Sequence, residues 1–414
     1  MNLTREEQQM LSGANGEGYK KVMEILVELG EFYKAKRLVP VSLGYITLGP
    51  TPGKPGKAIE WLEELVDLGV TFKCPVFVPT DFGGRVGPDY EINRKLGAIF
   101  AYQGGGHARN PFYLPVFGQH IIGDGTCVTH YMNSYIGARA NTEDFIGEYS
   151  AAIVGKTPEY GLHLTENRIG KTLFDIKVRL KDETDWSALG YYISRTLGTH
   201  YWDIPVINGV GPDEVTNDDL DTFSSSVPAY GACVHSLLVG ISPEARTLEQ
   251  AFAGAKPKQT FVVGSEELNG VYKTFSAVEE KPDMISVGGF GVNVSIDTVM
   301  KLVNLLEGKK VSEDFPTVIA LDGPVKLTAD GMGLTDKLRK AGVMIGMNEF
   351  MEAHNGDTSN LTSSPVMSAK RYGLKNIVFT DAKTCHYIEN QGVNSVLKHI
   401  EEVAKIAISG RIEV

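Results

Sequence analysis

Hydrophobic positions along the chain alternate between helical spacing and short continuous runs. Thr4 and Glu7 form a Thr-x-x-Glu capping box, which predicts the start of a first short helix. Apolar residues at helical spacing predict further helices near residues 22–29 (stopping at Gly30), 59–66, 296–306, 334–341 and 396–408. Short apolar runs predict strands at residues 38–41, 70–78, 285–287, 318–321, 343–345 and 377–379.

This alternation of strands and helices predicts the fold class and the place of the site. It favours layered α/β architecture with mostly parallel strands. In such folds the functional residues lie on loops at the strand ends. No repeat or linker interrupts the pattern, and the Ser224-Ser225-Ser226 run is too short to separate domains. We therefore expect one module over residues 1–414, with sub-lobes that the pattern does not delimit.

Composition and charge exclude several functional classes. The 414 residues carry a net charge of -11, which argues against a protein that holds nucleic-acid backbones. No apolar run reaches the roughly 20 residues that span a bilayer, and no secretory signal is visible. The four cysteines form no close pairs, so we expect a reducing, cytoplasmic setting.

Common catalytic motifs are missing, but two polar stretches remain. The glycines at 104–106 and 288–291 match no complete dinucleotide or phosphate loop, and neither a zinc-protease helix nor a serine-hydrolase elbow is present. Residues 133–141 and 160–168 combine amide, hydroxyl, glycine and guanidinium groups. Arginine in such a turn suits a carboxylate or phosphate. The alternative, two surface turns with solvated charges, has equal weight on composition alone.

Several segments resemble the aconitase X family. Residues 133–141 read Asn-Ser-Tyr-Ile-Gly-Ala-Arg-Ala-Asn and residues 161–168 read Gly-Leu-His-Leu-Thr-Glu-Asn-Arg, both similar to family motifs. Further similar segments lie, in the family's order, at residues 3–13, 117–121, 239–245 and 381–387. The series covers nearly the whole chain, so the chain is identified as a member of this family.

The resemblance implies a fold, a reaction and partners. It implies an aconitase-like α/β fold and removal of water from a small hydroxylated acid, such as a hydroxyproline or mevalonate 5-phosphate. In the family an iron–sulfur cluster acts as Lewis acid, and a small swivelling domain brings a serine. The large module uses all 414 residues here, so the resemblance implies the swivelling domain as a separate small subunit.

The sequence departs from the family where the cluster is expected. The segments at 104–112, 288–295 and 347–349 contain no cysteine, and Gly125-Thr126-Cys127 replaces a Glu-Ser-Ser segment. A relocated thiolate set of Cys127, Cys233 and Cys385 is one alternative, although three buried inert thiols are favoured. Glu349 with a nearby histidine is another, since carboxylate and imidazole suit Fe, Mn or Zn. A different metal or none stays open.

The leading hypothesis assigns roles to named residues. Arg139 would anchor the carboxylate or phosphate, and Lys383 would supply charge or a proton, oriented by His120 or His163. Hydrogen bonds to the substrate or its neighbours would come from Thr126, Asn133, Ser134, Asn167 and Arg168. Two rival hypotheses remain: a cluster-free lyase or isomerase acting on a related acid, and a non-catalytic ligand-binding paralogue.

Overall fold

The computed structural model describes most of the chain in full atomic detail. It describes residues 1–46, 55–80, 88–102, 114–123, 125–198, 203–231, 233–276, 279–289, 292, 294–321, 323–346, 349–350, 369 and 372–413. Within these ranges, no helix is both long enough and apolar enough to cross a membrane.

The N-terminal region is built on a four-stranded parallel sheet. Its elements are α1 (Arg5–Leu11), α2 (Glu17–Phe32), β1 (Leu38–Pro40), β2 (Gly44–Tyr45), α3 (Pro55–Asp67), β3 (Val76–Thr80), α4 (Pro88–Leu96), β4 (Ile99–Tyr102), β5 (Ile122–Gly123), α5 (Thr126–Tyr131), α6 (Phe145–Val154) and β6 (Lys156–Pro158). The first sheet has the order β4-β3-β2-β5, and β1 pairs separately with β6 in an antiparallel ladder.

The middle region repeats this plan around a second sheet. Its elements are β7 (Thr172–Ile176), α7 (Glu183–Leu197), β8 (Pro205–Asn208), α8 (Asn217–Ser226), α9 (Pro228–Gly231), β9 (Leu237–Leu238), α10 (Leu248–Ala251), β10 (Gln259–Val263) and α11 (Ser265–Thr274). The strands run parallel in the order β10-β7-β8-β9.

The C-terminal region holds the third sheet, with five parallel strands described. Its elements are β11 (Met284–Val287), α12 (Ile296–Leu305), β12 (Thr317–Ile319), α13 (Gly323–Gly331), α14 (Leu334–Ala341), β13 (Met344–Ile345), β14 (Asn376–Phe379), α15 (Ala382–Glu389), β15 (Asn394–Leu397) and α16 (Ile400–Ser409). The strand order is β13-β12-β11-β14-β15. Because the strands are parallel, their carboxyl ends share one edge of each sheet.

One hydrophobic cluster joins the three regions. It includes Phe77 from the first sheet, Phe174 from the second and Phe379 from the third, all buried. Trp186 of α7 lies in the same cluster and packs edge-on against Phe223 of α8. Each buried phenylalanine contributes about 1.5–3 kcal/mol to stability. The loops at the strand ends are therefore held by a continuous core.

Most elements predicted from the hydrophobic pattern are confirmed, with changes at their limits. The capping box is present, because the Glu7 N–H donates to the Thr4 hydroxyl and the Thr4 N–H donates to the Glu7 carboxylate. The predicted stop at Gly30 is wrong, since α2 continues to Phe32. At Gly30 a Cβ would lie 2.7 Å from Met1 Sδ, so this glycine permits close packing.

The limits of two further elements differ from the prediction, because a short apolar run does not distinguish a strand from a helix. Val396 was expected to start the last helix but lies in β15, and α16 begins at Ile400. The extended run was expected at residues 70–78, but in the structure the strand begins at Val76 and continues to Thr80. Buried strands and buried helical turns both appear as continuous apolar residues.

Candidate functional site

The carboxyl ends of the first and third sheets meet at a lysine–cysteine contact. Cys127 lies in the first turn of α5, which follows β5, and Lys383 lies in the first turn of α15, which follows β14. Lys383 Nζ donates to Cys127 Sγ at 3.1 Å, and both side chains are buried. We call this place the carboxyl-end crevice. Open α/β folds bind ligands in crevices of this kind.

Acidic groups surround the Lys383 ammonium. Burial opposes its charged form, but the charges of Cys127, Tyr387 and Asp381 outweigh this and raise the pKa of Lys383. Asp381 caps α15, because its Oδ1 accepts from the Thr384 N–H at 2.7 Å. Burial raises the pKa of Asp381 to about 6. The crevice thus gathers three groups that can hold or release a proton.

Buried serines fix the start of α15 against two neighbouring helices. The Ala382 N–H donates to Ser187 Oγ of α7 at 2.8 Å, and this hydroxyl lies 2.8 Å from Ser226 Oγ of α8. Ser225 presents its carbonyl oxygen 3.9 Å from Cys127 Sγ. The three-serine run is therefore part of the core, and its polar groups position the crevice.

Thr126 lies beside the crevice at the first position of α5. Its side chain is half-buried. Within the described part of the chain, its hydroxyl makes no hydrogen bond, so it is available to a ligand. The substrate-binding role of Thr126 stays a prediction.

A second polar group, the Arg168 cluster, is formed by Arg168, Glu244 and Asn133. Arg168 Nε donates to Glu244 Oε1 at 2.8 Å, and Arg168 Nη2 donates to Glu244 Oε2 at 2.5 Å. The guanidinium also donates to Asn133 Oδ1 and O and to the Leu162 carbonyl. Each of the five guanidinium N–H groups therefore has an acceptor. Arg168 is buried and holds three chain segments together.

Asn133 is saturated in the same way. Its Nδ2 donates to the carbonyls of Ala140 and Val234, both at 2.9 Å, and its Oδ1 accepts from the Ala140 N–H at 3.0 Å. Asn133 was expected in a turn, but it lies in a π-helical turn spanning Met132–Ile136. In this structure Asn133 and Arg168 have no hydrogen-bonding capacity left for a ligand.

His130 is the centre of a buried hydroxyl network that the sequence did not reveal. Its Nδ1 lies 2.9 Å from Ser224 Oγ, and its Nε2 lies 2.8 Å from Ser236 Oγ and 3.4 Å from Ser134 Oγ. Ser134 Oγ also accepts from the Ser236 N–H at 2.9 Å. Burial lowers the pKa of His130 to about 3, so the ring is neutral. The predicted residue Ser134 therefore belongs to the scaffold.

His120, His163 and Arg139 form a third cluster. The Nδ1 atoms of the two histidines lie 2.9 Å apart. Burial, with the charge of Arg139, lowers both histidine pKa values, which keeps the rings neutral near pH 7. Arg139 Nη1 donates to the His163 carbonyl at 2.8 Å, and Nη2 donates to Thr165 Oγ1 at 2.7 Å.

Arg139 makes no ion pair with Glu143 or Asp144, the acids that follow it closely in the chain. Glu143 accepts from the Tyr160 hydroxyl at 2.7 Å, and Asp144 caps α6. The Arg139 guanidinium makes two hydrogen bonds in the described residues, so three of its N–H groups remain for a ligand. Asn167 donates to the Gly161 carbonyl at 2.9 Å and fixes the same loop.

The structure thus separates the predicted site residues into two groups. Lys383, Thr126 and Cys127 follow the carboxyl ends of β5 and β14. The other group lies beside the amino ends of β5 and β7, because His120 lies two residues before the start of β5 and residues 161–168 precede β7. Its members are His120, Asn133, Ser134, Arg139, His163, Asn167 and Arg168. The helical segment of residues 126–136 runs between the two groups.

The candidate metal ligands do not assemble. No group of three or more His, Cys, Asp or Glu residues that could hold a metal occurs among the residues with described positions. All four cysteines are free and buried, so Cys127, Cys233 and Cys385 do not form the relocated set. Glu349 accepts from Arg339 at 2.8 Å and from the Ile345 N–H at 2.7 Å. These described residues do not fit an iron–sulfur cluster.

Glu183 is a further half-buried acid near the crevice. It begins α7, accepts from the Ser295 hydroxyl, and accepts from Thr298 Oγ1 at 3.1 Å. A cavity of about 30 Å³ lies between Glu183 and Gly288, next to the end of β11. Burial raises the pKa of Glu183 to about 7. No sequence motif singled out this residue.

A cleft of about 590 Å³ lies apart from these groups. It opens between α11 and the end of β15, where Tyr272 stacks on His399. Asp185 of α7 lines the cleft, whereas Ser187 of the same helix faces α15. Its cations Arg179, Lys181 and Lys398 are matched by the acids Asp185, Glu402 and Glu413. The balanced charges give no preference for an anion, so size alone does not make it the site.

Comparisons with known proteins place the chain in a family. Parallel sheets whose strands share one carboxyl edge, with helices between them, define an α/β class that binds ligands at that edge. The family models "Aconitase X first domain" and "Aconitase X second domain" match residues 1–82 and 170–273. The phosphomevalonate dehydratase large subunit of Thermococcus kodakarensis is 30% identical, over 98% of this chain and 100% of its own length. The chain belongs to the aconitase X family.

A solved structure and a more distant relative agree with this assignment. The crystal structure of Thermococcus kodakaraensis aconitase X in its holo-form superposes with a TM-score of 0.80 at 28% identity, covering 98% of this chain and 100% of that chain. The cis-3-hydroxy-L-proline dehydratase of Hypocrea jecorina is 24% identical, over 83% of this chain and 60% of that protein. The predicted aconitase-like fold is confirmed, and the chain is a hydro-lyase of this family.

Proposed function

We propose that this chain is the large subunit of a two-chain dehydratase that removes water from a phosphorylated hydroxy acid of the mevalonate type. The Lys383–Cys127 contact in the carboxyl-end crevice carries the proposal, because it places proton-exchanging groups where this class binds ligands. The relatives support the substrate class. Similarity to a phosphomevalonate dehydratase large subunit covers that relative's full length, whereas similarity to the hydroxyproline dehydratase covers 60% of it.

The reaction requires stabilisation of negative charge. A proton leaves the carbon beside a carboxylate, and a hydroxyl leaves the next carbon. Charge that develops on the carboxylate is stabilised by a fixed cation in a site from which water is excluded. Lys383 is such a cation, and its pKa is raised within the crevice. Thr126 supplies a hydroxyl at the same place that can bond to the substrate.

The family's cluster is not assigned a step in this proposal. No cysteine occurs in the segments 104–112, 288–295 and 347–349, and the described residues do not assemble another ligand set. The steps assigned here use only the chain's own side chains.

A small partner subunit is part of the proposal. The relatives of Thermococcus kodakarensis and Methanocaldococcus jannaschii are named as large subunits. This chain covers 100% and 87% of their lengths, so it corresponds to the large component. We propose that a small swivelling subunit closes over the carboxyl-end crevice. We place the complex in the cytoplasm, where four free cysteines stay reduced.

The test is a turnover assay of the reconstituted complex. The chain is purified with an aconitase X small subunit, and product formation is followed by proton NMR. Mevalonate 5-phosphate should lose water, and Lys383→Met in the same complex should not release product. Turnover of cis-3-hydroxy-L-proline alone would change the substrate class. Tight binding of an acid without turnover would establish a ligand-binding paralogue instead.

A further inference from the structure

Cys127 differs from the other cysteines in its surroundings. Burial raises the pKa of the Cys74 and Cys233 thiols to about 12, and it also raises the pKa of Cys385. Cys233 Sγ donates to the His235 carbonyl oxygen at 3.1 Å, and this oxygen accepts a hydrogen bond from a thiol but cannot stabilise a thiolate. Cys127 instead accepts a hydrogen bond from the Lys383 ammonium at 3.1 Å. A neighbouring lysine is the setting in which cysteines ionise.

The position of the pair agrees with a catalytic use. Cys127 and Lys383 lie on helices that follow strands of two different sheets, and their contact joins the carboxyl ends of these sheets. Ser225 holds its carbonyl 3.9 Å from Cys127 Sγ, so the protonated sulfur also has an acceptor. Both protonation states of Cys127 are therefore accommodated without moving the backbone.

We propose that Cys127 and Lys383 form a thiolate–ammonium pair that exchanges protons with the substrate during dehydration. This rests on the proposed function. The thiolate of Cys127 takes a proton from the carbon beside the carboxylate, and the electron pair of that C–H bond becomes the new C=C bond. The C–O electron pair leaves with the hydroxyl oxygen. The Lys383 ammonium gives that oxygen a proton, so water is released.

The pair then restores itself. After one turnover Cys127 is a thiol and Lys383 is an amine. The proton passes from sulfur to nitrogen across the 3.1 Å contact, which regenerates thiolate and ammonium. The sum is one substrate converted to one alkene and one water, and no other reactant is consumed. The titratable groups that act on the Lys383 charge, besides Cys127, are Asp381 and Tyr387, and the experiment must keep them unchanged.

The first measurement is the ultraviolet absorbance of the thiolate as a function of pH, on the folded full-length chain. The wild type should show one thiolate that is already formed near pH 7. Cys127→Ser should remove this signal, and Lys383→Met should move it to higher pH. The matched control is Cys74→Ser, which alters a buried cysteine outside the crevice and should leave the signal unchanged. A signal absent from the wild type, or surviving in Cys127→Ser, would overturn the pair.

The second measurement is turnover of the complex with mevalonate 5-phosphate. Cys127→Ser replaces sulfur by oxygen with little change in shape, and we expect kcat to fall by about a hundredfold or more. The wild-type rate should rise over the same pH range in which the thiolate forms. The rate of Cys74→Ser should match that of the wild type. Near-normal turnover by Cys127→Ser would overturn the proton exchange even if the thiolate exists.

The two measurements separate this inference from the proposed function. If the wild-type complex dehydrates neither mevalonate 5-phosphate nor cis-3-hydroxy-L-proline, the proposed function fails and the proton exchange fails with it. The absorbance titration still decides whether the ion pair exists, because it requires no substrate. Thermal melts of each variant show that a lost signal reflects chemistry and not unfolding.

Discussion

The carboxyl-end crevice and the Arg168 cluster both bury a cation, but they differ in how fully it is bonded. Arg168 finds an acceptor for each guanidinium N–H, and its partner Glu244 binds it through both oxygens. Lys383 instead contacts a thiol and lies near a carboxyl whose pKa is raised to about 6. The Arg168 cluster has no proton to exchange and stabilises the fold. The groups around Lys383 instead carry protons that can be transferred.

The largest effect should come from breaking the Arg168 cluster. Arg168→Ala would leave Glu244 charged and unpaired and would remove the bonds to Asn133. We expect a loss of about 3–5 kcal/mol in the free energy of unfolding, measured by chemical denaturation. Arg37→Ala, which breaks an exposed pair with Glu159, serves as the control and should change stability little. A normal melt with weakened ligand binding would instead make Arg168 part of the site.

A somewhat smaller loss should follow from His130→Ala. The change leaves a cavity and removes the ring nitrogens that the hydroxyls of Ser224 and Ser236 contact. We expect about 2–4 kcal/mol of destabilisation from the cavity and the unbonded hydroxyls. The matched control is His386→Ala, a half-buried histidine, which should cost less. Equal melting temperatures for the two variants would show that the network does not hold the core.

A pH effect should distinguish Glu183. Burial raises the pKa of Glu183 in the folded state to about 7, above its ordinary value of 4.5. Between these two pH values the folded state therefore binds a proton that the unfolded state has lost. Stability should therefore fall by on the order of 1–3 kcal/mol as pH rises through this window, and Glu183→Gln should flatten that slope.

The pH measurement needs a control carboxyl group whose pKa is shifted in the opposite direction. The pKa of Glu401 is lowered by its hydrogen bond with Lys301, although burial acts against this shift. Glu401→Gln should therefore leave the decline near neutral pH in place. Asp381 has the same sign as Glu183 but titrates lower, because its folded pKa is about 6. If Glu183→Gln keeps the full slope, its carboxyl is not the group that titrates there.

The smallest effect should come from Arg139→Lys. The side chain is half-buried and bonds to His163 and Thr165, so the fold should survive. Lysine cannot offer two parallel bonds to a phosphate or carboxylate. The sequence prediction that Arg139 anchors the acid requires the affinity for the phosphorylated acid to fall about tenfold, or about 1.4 kcal/mol, measured by calorimetry. Unchanged affinity would place Arg139, like Arg168, in the scaffold.

The sequence alone determined the family, the α/β class and most elements. Hydrophobic spacing located α14 at residues 334–341, the limits that the structure shows. The polar segments at 133–141 and 161–168 identified the family, since their order and residue types are specific even though their geometry was unknown. Such signals are local, because spacing and motif are written in neighbouring residues.

Only the tertiary structure decided what those polar residues do. Asn133 and Arg168 look like ligand-binding residues in the sequence, but folding bonds them to each other and bonds Arg168 to Glu244. Cys127 and Lys383 are separated by more than half of the chain, yet they touch. The physical reason is that hydrogen bonding and burial depend on partners from distant strands, and these determine whether a polar group holds the fold or stays free to react.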